Sequence, residues 1–249
     1  MARPLSVQLY SVRTELAKDH DGTLARVAGL GYRAVEPFDV LTDPQGLRRR
    51  LDDLGLAVSG VHAIQLVQPE HDPDRVLDAV AEVGTTEAIV PAGIPPEDFT
   101  HEAGLARAAD LLNDLSERAA RRGVRLGYHN HWWEIEPTVD RRHAIERLAQ
   151  LLDPAVFLEI DTYWAQVGGA DVPALLRRLG DRVTALHIKD GPGTKGEPNV
   201  AVGGGVMPVA EILAAAPDAW RIVEFDACAG DLFAELAASH TYVSALEAA

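Results

Sequence analysis

Eight times along this chain a short apolar run rich in β-branched residues gives way to a segment with helical spacing, and glycine or proline marks almost every junction. The runs 4–10, 34–38, 58–62, 87–90, 156–161, 183–189 and 220–225 read as strands, and 125–136 opens as another. The segments 23–30, 44–54, 73–83, 102–122, 141–152, 172–179, 208–215 and 231–246 carry apolar residues three and four apart, as amphipathic helices do. Five of them run into Gly31, Gly55, Gly84, Gly123 and Gly180, the residue type that most often closes a helix. Strict strand–helix alternation implies parallel strands joined by right-handed crossovers. No Gly-x-Gly-x-x-Gly follows the first strand and no composition break divides the chain, so the expected fold is α/β, a single (β/α)8 TIM barrel over residues 1–249.

A length of 249 residues matches one such barrel. The formal net charge of −15 repels polyanions, which argues against nucleic acid and acidic membrane surfaces as partners and favours a small neutral molecule or a cation. Cys228 is the only cysteine, so no internal disulfide forms. The opening residues 1–16 lack the apolar core of a secretion signal and no run approaches a membrane span, giving the expectation of a cytoplasmic protein.

In a closed barrel the carboxyl ends of all strands meet at one mouth. Here those ends carry Gln8 and Tyr10, Glu36, His62, His129 and His131, Glu159 and Asp161, His187 and Lys189, and Glu224 and Asp226. In the stretch RLGYHNHWWEIE, residues 125–136, alternation places Gly127, His129 and His131 on one face, with Trp132, Trp133, Glu134 and Glu136 following at once. So many ionisable groups at one mouth are costly unless paired or bound to metal. Asp161, His187 and Glu224, from three successive strands, offer two oxygens and one nitrogen. That mixture suits one divalent ion with open positions, manganese, magnesium, cobalt or zinc, able to polarise a sugar carbonyl and its neighbouring hydroxyl. Residues 191–205, rich in glycine and directly after the seventh strand, read as a lid over the mouth.

The pieces GYHNHWWE, LEIDTYW, HIKD, VGGGVMP and IVEFD, in this order and spacing, resemble the sugar phosphate isomerase/epimerase family of the xylose isomerase-like barrel superfamily. The resemblance covers nearly the whole chain. It implies one divalent ion held by a Glu, Asp, His, Glu set on strands five to eight, and carboxylates that move protons through a metal-bound enediolate. Asp161, His187 and Glu224 match that set position by position. His129 stands where the first glutamate is expected, as fourth ligand or as base, with His131 and Glu134 as substitutes. Gly204 stands where relatives often carry glutamate. By the same resemblance Glu36 and His62 line the site, Lys189 joins Glu224 and His129 as a catalytic group, and His131, Trp132, Trp133 and Trp164 face the substrate.

The function expected first is therefore a sugar isomerase or epimerase that moves a proton beside the carbonyl of a keto-sugar or cyclitol. A keto-sugar lyase or dehydratase of the 3-keto-glycoside lyase or inosose dehydratase type, which needs only one strong base, is the alternative, followed by a catalytically silent sugar-binding barrel. An abasic-site nuclease on the same barrel conflicts with the acidic charge. No arginine cluster marks a phosphate, which favours an unphosphorylated substrate; a homo-oligomer is compatible with the sequence.

Overall fold

In a computed structural model that describes residues 3–248, the alternation closes into a barrel with its helices outside. The strands are β1 (Ser6–Gln8), β2 (Ala34–Glu36), β3 (Ala57–Val58), β4 (Val61–His62), β5 (Glu87–Val90), β6 (Arg125–His129), the hairpin pair β7 (Thr138–Val139) and β8 (Arg142–His143), β9 (Phe157–Asp161), β10 (Val183–Ile188) and β11 (Trp220–Val223). The main sheet runs β3-β2-β1-β11-β10-β9-β6-β5-β4, all parallel. Its two ends, β3 and β4, are halves of one chain run interrupted at Ser59 and Gly60, so the third strand expected at 58–62 is the seam that brings the barrel round. A Cβ on Gly60 would stand 2.6 Å from Ile89 Cδ1 and 3.0 Å from Glu36 Oε1, so only glycine leaves room there for the buried carboxylate.

The helices are α1 (Arg13–Lys18), α2 (His20–Gly29), α3 (Pro44–Asp53), α4 (Pro73–Glu82), α5 (Glu102–Ala120), α6 (Ala144–Leu151), α7 (Thr162–Val167), α8 (Val172–Leu179), α9 (Val209–Ala215) and α10 (Leu232–Glu247). Local chemistry sets their starts. Asp43, Asp72, Asp171 and Asp231 each accept a backbone N–H of the first turn, and prolines occupy the first helical positions after Asp43 and Asp72, where a missing N–H costs nothing. In α8, Val172, Leu175, Leu176 and Leu179 form the buried stripe against the barrel. Among the described residues no helix is long and apolar enough to cross a membrane.

Two local expectations fail. The helix expected at 141–152 begins only at Ala144. Asp140 and Arg141 adopt φ of 51° and 61°, and this tight turn pairs Thr138 with His143 and Val139 with Arg142. Residues 162–167, unforeseen, form α7, because the Asp161 carboxylate accepts the Trp164 N–H at 2.8 Å and starts a helix directly at the strand end.

Alternation along the strands separates two interiors. Val7, Val35, Leu126, Tyr128, Leu158, Ile160, Leu186, Ile188 and Val223 belong to the apolar layer between barrel and helices. The other faces carry Ser6, Gln8, Glu36, His62, His129, Glu159, Asp161, His187 and Glu224, all buried. Register levels them: Gln8 lies beside Glu36, His129 beside Glu159, and Asp161 beside His187. Below this polar layer the Phe157 ring crosses Gly127, where a Cβ would meet it at 2.3 Å. Gly127→Ala should therefore cost about 1–3 kcal/mol through overpacking, and Phe157→Leu in the same chain should recover part of it. Urea denaturation midpoints measure both; an unchanged midpoint for Gly127→Ala would show that the ring yields freely.

Candidate active site

At the carboxyl ends of the strands lies a cavity of about 310 Å³ lined by Tyr10, Phe38, His62, Ile64, Pro91, Ala92, His129, His131, Lys189, Glu224 and Asp226. A hollow of similar volume, about 320 Å³, sits between α1, α2 and α3, away from every cluster of metal-type donors found among the described residues. The clustered imidazoles and carboxylates lie at the mouth of the barrel.

Its floor is a layer of imidazoles and carboxylates. Glu36 Oε2 lies 2.7 Å from both Gln8 Nε2 and His187 Nε2. Glu159 Oε2 lies 2.6 Å from His62 Nε2 and 3.0 Å from His129 Nδ1. His187 turns its other nitrogen, Nδ1, to Glu224 Oε2 at 2.7 Å. Burial alone would lower the pKa of His187, but Glu159, Glu224 and Glu36 outweigh it and hold the ring charged. At His62 and His131 the nearby carboxylates do not outweigh burial. Burial lowers them to about 4 and about 3, and it drives His129 well down as well, so all three are neutral imidazoles at neutral pH. Glu36 is pushed up to about 7 by burial and by Glu159.

Above the floor, Lys189 Nζ lies 2.8 Å from Asp161 Oδ2, 2.7 Å from Glu224 Oε2 and 2.7 Å from Asp226 Oδ2. Burial opposes the charge, yet the three carboxylates prevail and hold the ammonium protonated well above its usual range. Lys189 is thus equipped as a proton donor and not as a base. The same contacts act on Glu224: burial would raise it, but Lys189 and His187 keep it ionised well below the usual carboxylate range.

Asp161, His187 and Glu224 present donor atoms within 4.8 Å of one another, and His129 Nε2 stands 3.9 Å from Asp161 Oδ2. Asp161 Oδ2 is buried and, although Lys189 is close, takes no well-directed hydrogen bond. An anionic oxygen with free lone pairs beside a second carboxylate, and an imidazole that would give up a ring proton to a metal, make a donor set that fits a divalent ion. A second group, His62, His129, Glu159 and His187, converges equally closely one level deeper.

The site residues expected from sequence divide accordingly. His62, His129, His131, Lys189 and Glu224 line the cavity, with Asp161 and His187 behind them. Glu36, expected beside the substrate, is fully buried against His62 and His187 and does not line the cavity. Glu134 is no substitute ligand. It accepts from Tyr128 Oη and His131 N, both at 2.7 Å, on the far side of the strand. Trp132 and Trp164 pack on each other with centroids 4.8 Å apart, Trp164 standing 5.7 Å from Lys189 Nζ, and His131 stacks on Trp133. The aromatic wall of the cavity itself is Tyr10 and Phe38, edge to face at 5.5 Å. Sequence reasoning missed Phe38 and placed Asp226 and Glu159 at the mouth without giving either a role; each of the three lies two residues from a site residue named from sequence and so shares its face.

The expected lid is largely tied down. The Asp190 carboxylate accepts from Gly191 N, Gly203 N and Met207 N, Asn199 Oδ1 accepts from Asp226 N, and Val202 N donates to Ser239 Oγ. The tip at 192–197 is held by fewer bonds: Gly193 N donates to Tyr163 Oη at 3.1 Å, and Lys195 reaches over Trp132 to Glu136.

A family model described as xylose isomerase-like TIM barrel matches residues 24–226. The inosose dehydratase of Geobacillus kaustophilus is 30% identical over 199 residues, covering 68% of this chain and 61% of that protein. The 3-dehydroshikimate dehydratase of Pseudomonas aeruginosa is 28% identical over 190 residues, 68% of this chain and 28% of that longer protein. The chain thus spans about three fifths or less of the length of these curated relatives. A crystal structure of a sugar phosphate isomerase/epimerase from Parabacteroides distasonis superposes with a TM-score of 0.81 at 23% identity, covering 98% of this chain and 94% of that one.

Lys189→Met removes the cation among three carboxylates and should cost about 3–5 kcal/mol of stability, the scale for stranding a buried charge. Added Mn²⁺ should restore more stability to this variant than to the unaltered protein. Thermal or urea unfolding with and without the ion measures both effects; equal stability without Lys189 would mean that the carboxylates take up protons in its place.

Proposed function

The chain belongs to the xylose isomerase-like TIM barrel family, and from that premise we propose that it is a metal-dependent lyase that removes water or another β-substituent from a keto-cyclitol or keto-sugar without phosphate. The observation that carries this reading is the direct contact between Glu224 and Lys189 on one wall of the cavity. A carboxylate held ionised and an ammonium held protonated, 2.7 Å apart, form an acid and a base on the same face. Glu224 accepts the proton from the carbon next to the carbonyl, the bond to the β-oxygen breaks, and Lys189 gives that oxygen its proton. The products are an unsaturated ketone and water, and proton transfer from Glu224 to Lys189 across their contact resets the pair. A divalent ion held by Asp161, His187 and Glu224, with His129 as the nearest fourth donor, would supply the Lewis acid that makes the carbon acidic. Tyr10 and Phe38 offer ring faces to the sugar, and His62 and His131 its hydroxyl contacts.

Epimerisation, expected first from sequence, needs a proton donor on the opposite face. The opposite wall carries His129 and His131, both held neutral by burial, and no carboxylate. The resemblance to two dehydratases in sequence supports the same order. The absence of arginine from the cavity lining supports an uncharged substrate.

Metal-loaded protein incubated with a panel of keto-inositols and keto-sugars in deuterated water should form an unsaturated ketone visible by NMR. Glu224→Gln should abolish both hydrogen exchange and product, a loss of about 10²–10⁴-fold or more for a general base. Lys189→Met, assayed where it remains folded, should keep exchange and lose elimination. Inversion without loss of a group would assign the epimerase reaction instead, and neither exchange nor product across the panel would favour a silent sugar-binding barrel.

A further inference from the structure

Glu159 is fully buried beneath the cavity, one level below Asp161 on the same strand face, and nothing in the proposed reaction uses it. Its Oε2 lies within hydrogen-bond distance of two imidazoles, His62 Nε2 at 2.6 Å and His129 Nδ1 at 3.0 Å, and it stands 3.3 Å from His187 Nε2. Its other oxygen, Oε1, is buried without a hydrogen-bond partner, so the side chain faces the imidazoles through one atom. Burial pushes the Glu159 carboxyl up and His187 beside it pulls it back; Oε2, facing three ring nitrogens at once, is placed as their acceptor, so each nitrogen facing it carries the hydrogen. A neutral imidazole has one N–H. His129 therefore holds its hydrogen on Nδ1, pointing down, and leaves the lone pair on Nε2. That nitrogen is the one 3.9 Å from Asp161 Oδ2.

We infer that Glu159 is a positioning residue that fixes the tautomer and orientation of His129, so that His129 Nε2 stands ready as the fourth donor beside Asp161, His187 and Glu224. The inference rests on the metal reading of that site. It accounts for the histidine at the place of a carboxylate: the negative charge has moved one level down, from a direct ligand to the group behind the ligand. Such outer carboxylates orient metal-bound imidazoles and raise their basicity, and removing one typically weakens metal binding 10–100-fold. The same contact fixes His62 with its hydrogen on Nε2.

The test uses the full chain with ¹⁵N-labelled histidine. In the metal-free protein, long-range ¹H–¹⁵N spectra of the rings should show His129 protonated on Nδ1 and His62 on Nε2. In Glu159→Gln the amide presents both an acceptor and a donor, so at least one of the two rings should change tautomer. Glu159→Leu should release both, and any failure of that variant to fold leaves the isosteric Gln variant to decide. Mn²⁺ affinity, read from the free-ion EPR signal, should fall at least tenfold in Glu159→Gln, with no substrate needed. His129 protonated on Nε2 in the unaltered protein, or tautomers and affinity in Glu159→Gln unchanged within twofold, would overturn the inference. Correct tautomers that shift in Glu159→Gln, in a protein that binds no Mn²⁺, would overturn the metal reading while leaving Glu159 as the residue that sets both rings.

Discussion

The compensation of buried charge inside the barrel is the constraint on which the rest depends. Glu36, Glu159, Asp161 and Glu224 are all withdrawn from water, and isolated carboxylates in such a place would be driven to take up protons. Two cations, the Lys189 ammonium and the His187 imidazolium, stand among them and bridge the layers. His187 joins Glu36 below to Glu224 above, and Lys189 ties Glu224 to Asp161 and Asp226. Each charge is held by neighbours from different strands, so the site exists only when the barrel has closed.

Closure itself is the work of a different set of residues. The aliphatic side chains on the outer face of the strands pack against the helices, and the area they remove from water supplies the main drive to fold. That leaves the inner face free to carry groups that are poor for stability and useful for chemistry. At the end of β9 an aspartate cap starts the next helix at once and so sets the level at which the last inward residue of that strand stands. Asp161 is both cap and last inward residue, with Oδ1 capping α7 and Oδ2 facing Lys189.

The two walls of the cavity then differ in charge. On the β10 and β11 side, opposite charges in contact hold a base ionised and an acid protonated. On the β6 side, burial without compensating charge keeps the imidazoles neutral. The asymmetry here suits chemistry confined to one face, with His129 drawn toward metal binding and away from proton transfer.

The sequence by itself determined the barrel. Strand–helix alternation, glycine stops and the lack of a dinucleotide turn are local signals, and local hydrogen bonding and apolar periodicity decide them. It also placed His129, His187, Asp161, Lys189 and Glu224 at one mouth, because every parallel strand of a barrel delivers its carboxyl end there. What it left undecided turned on packing between strands. The hairpin at Thr138–His143 depends on two non-glycine residues held at positive φ by the pairing across the turn, which helical spacing could not reveal. Glu36 and Glu134 looked equally suited to the site, and only the third dimension buried one against His62 and His187 and put the other behind the strand. Glu159 was visible at a strand end but had no assigned role until register set it level with His129. Lys189 was legible as a catalytic candidate, yet its protonation follows from three carboxylates contributed by β9, the end of β11 and the loop beyond it. Those are long-range electrostatic facts, and a one-dimensional pattern does not contain the distances that decide them.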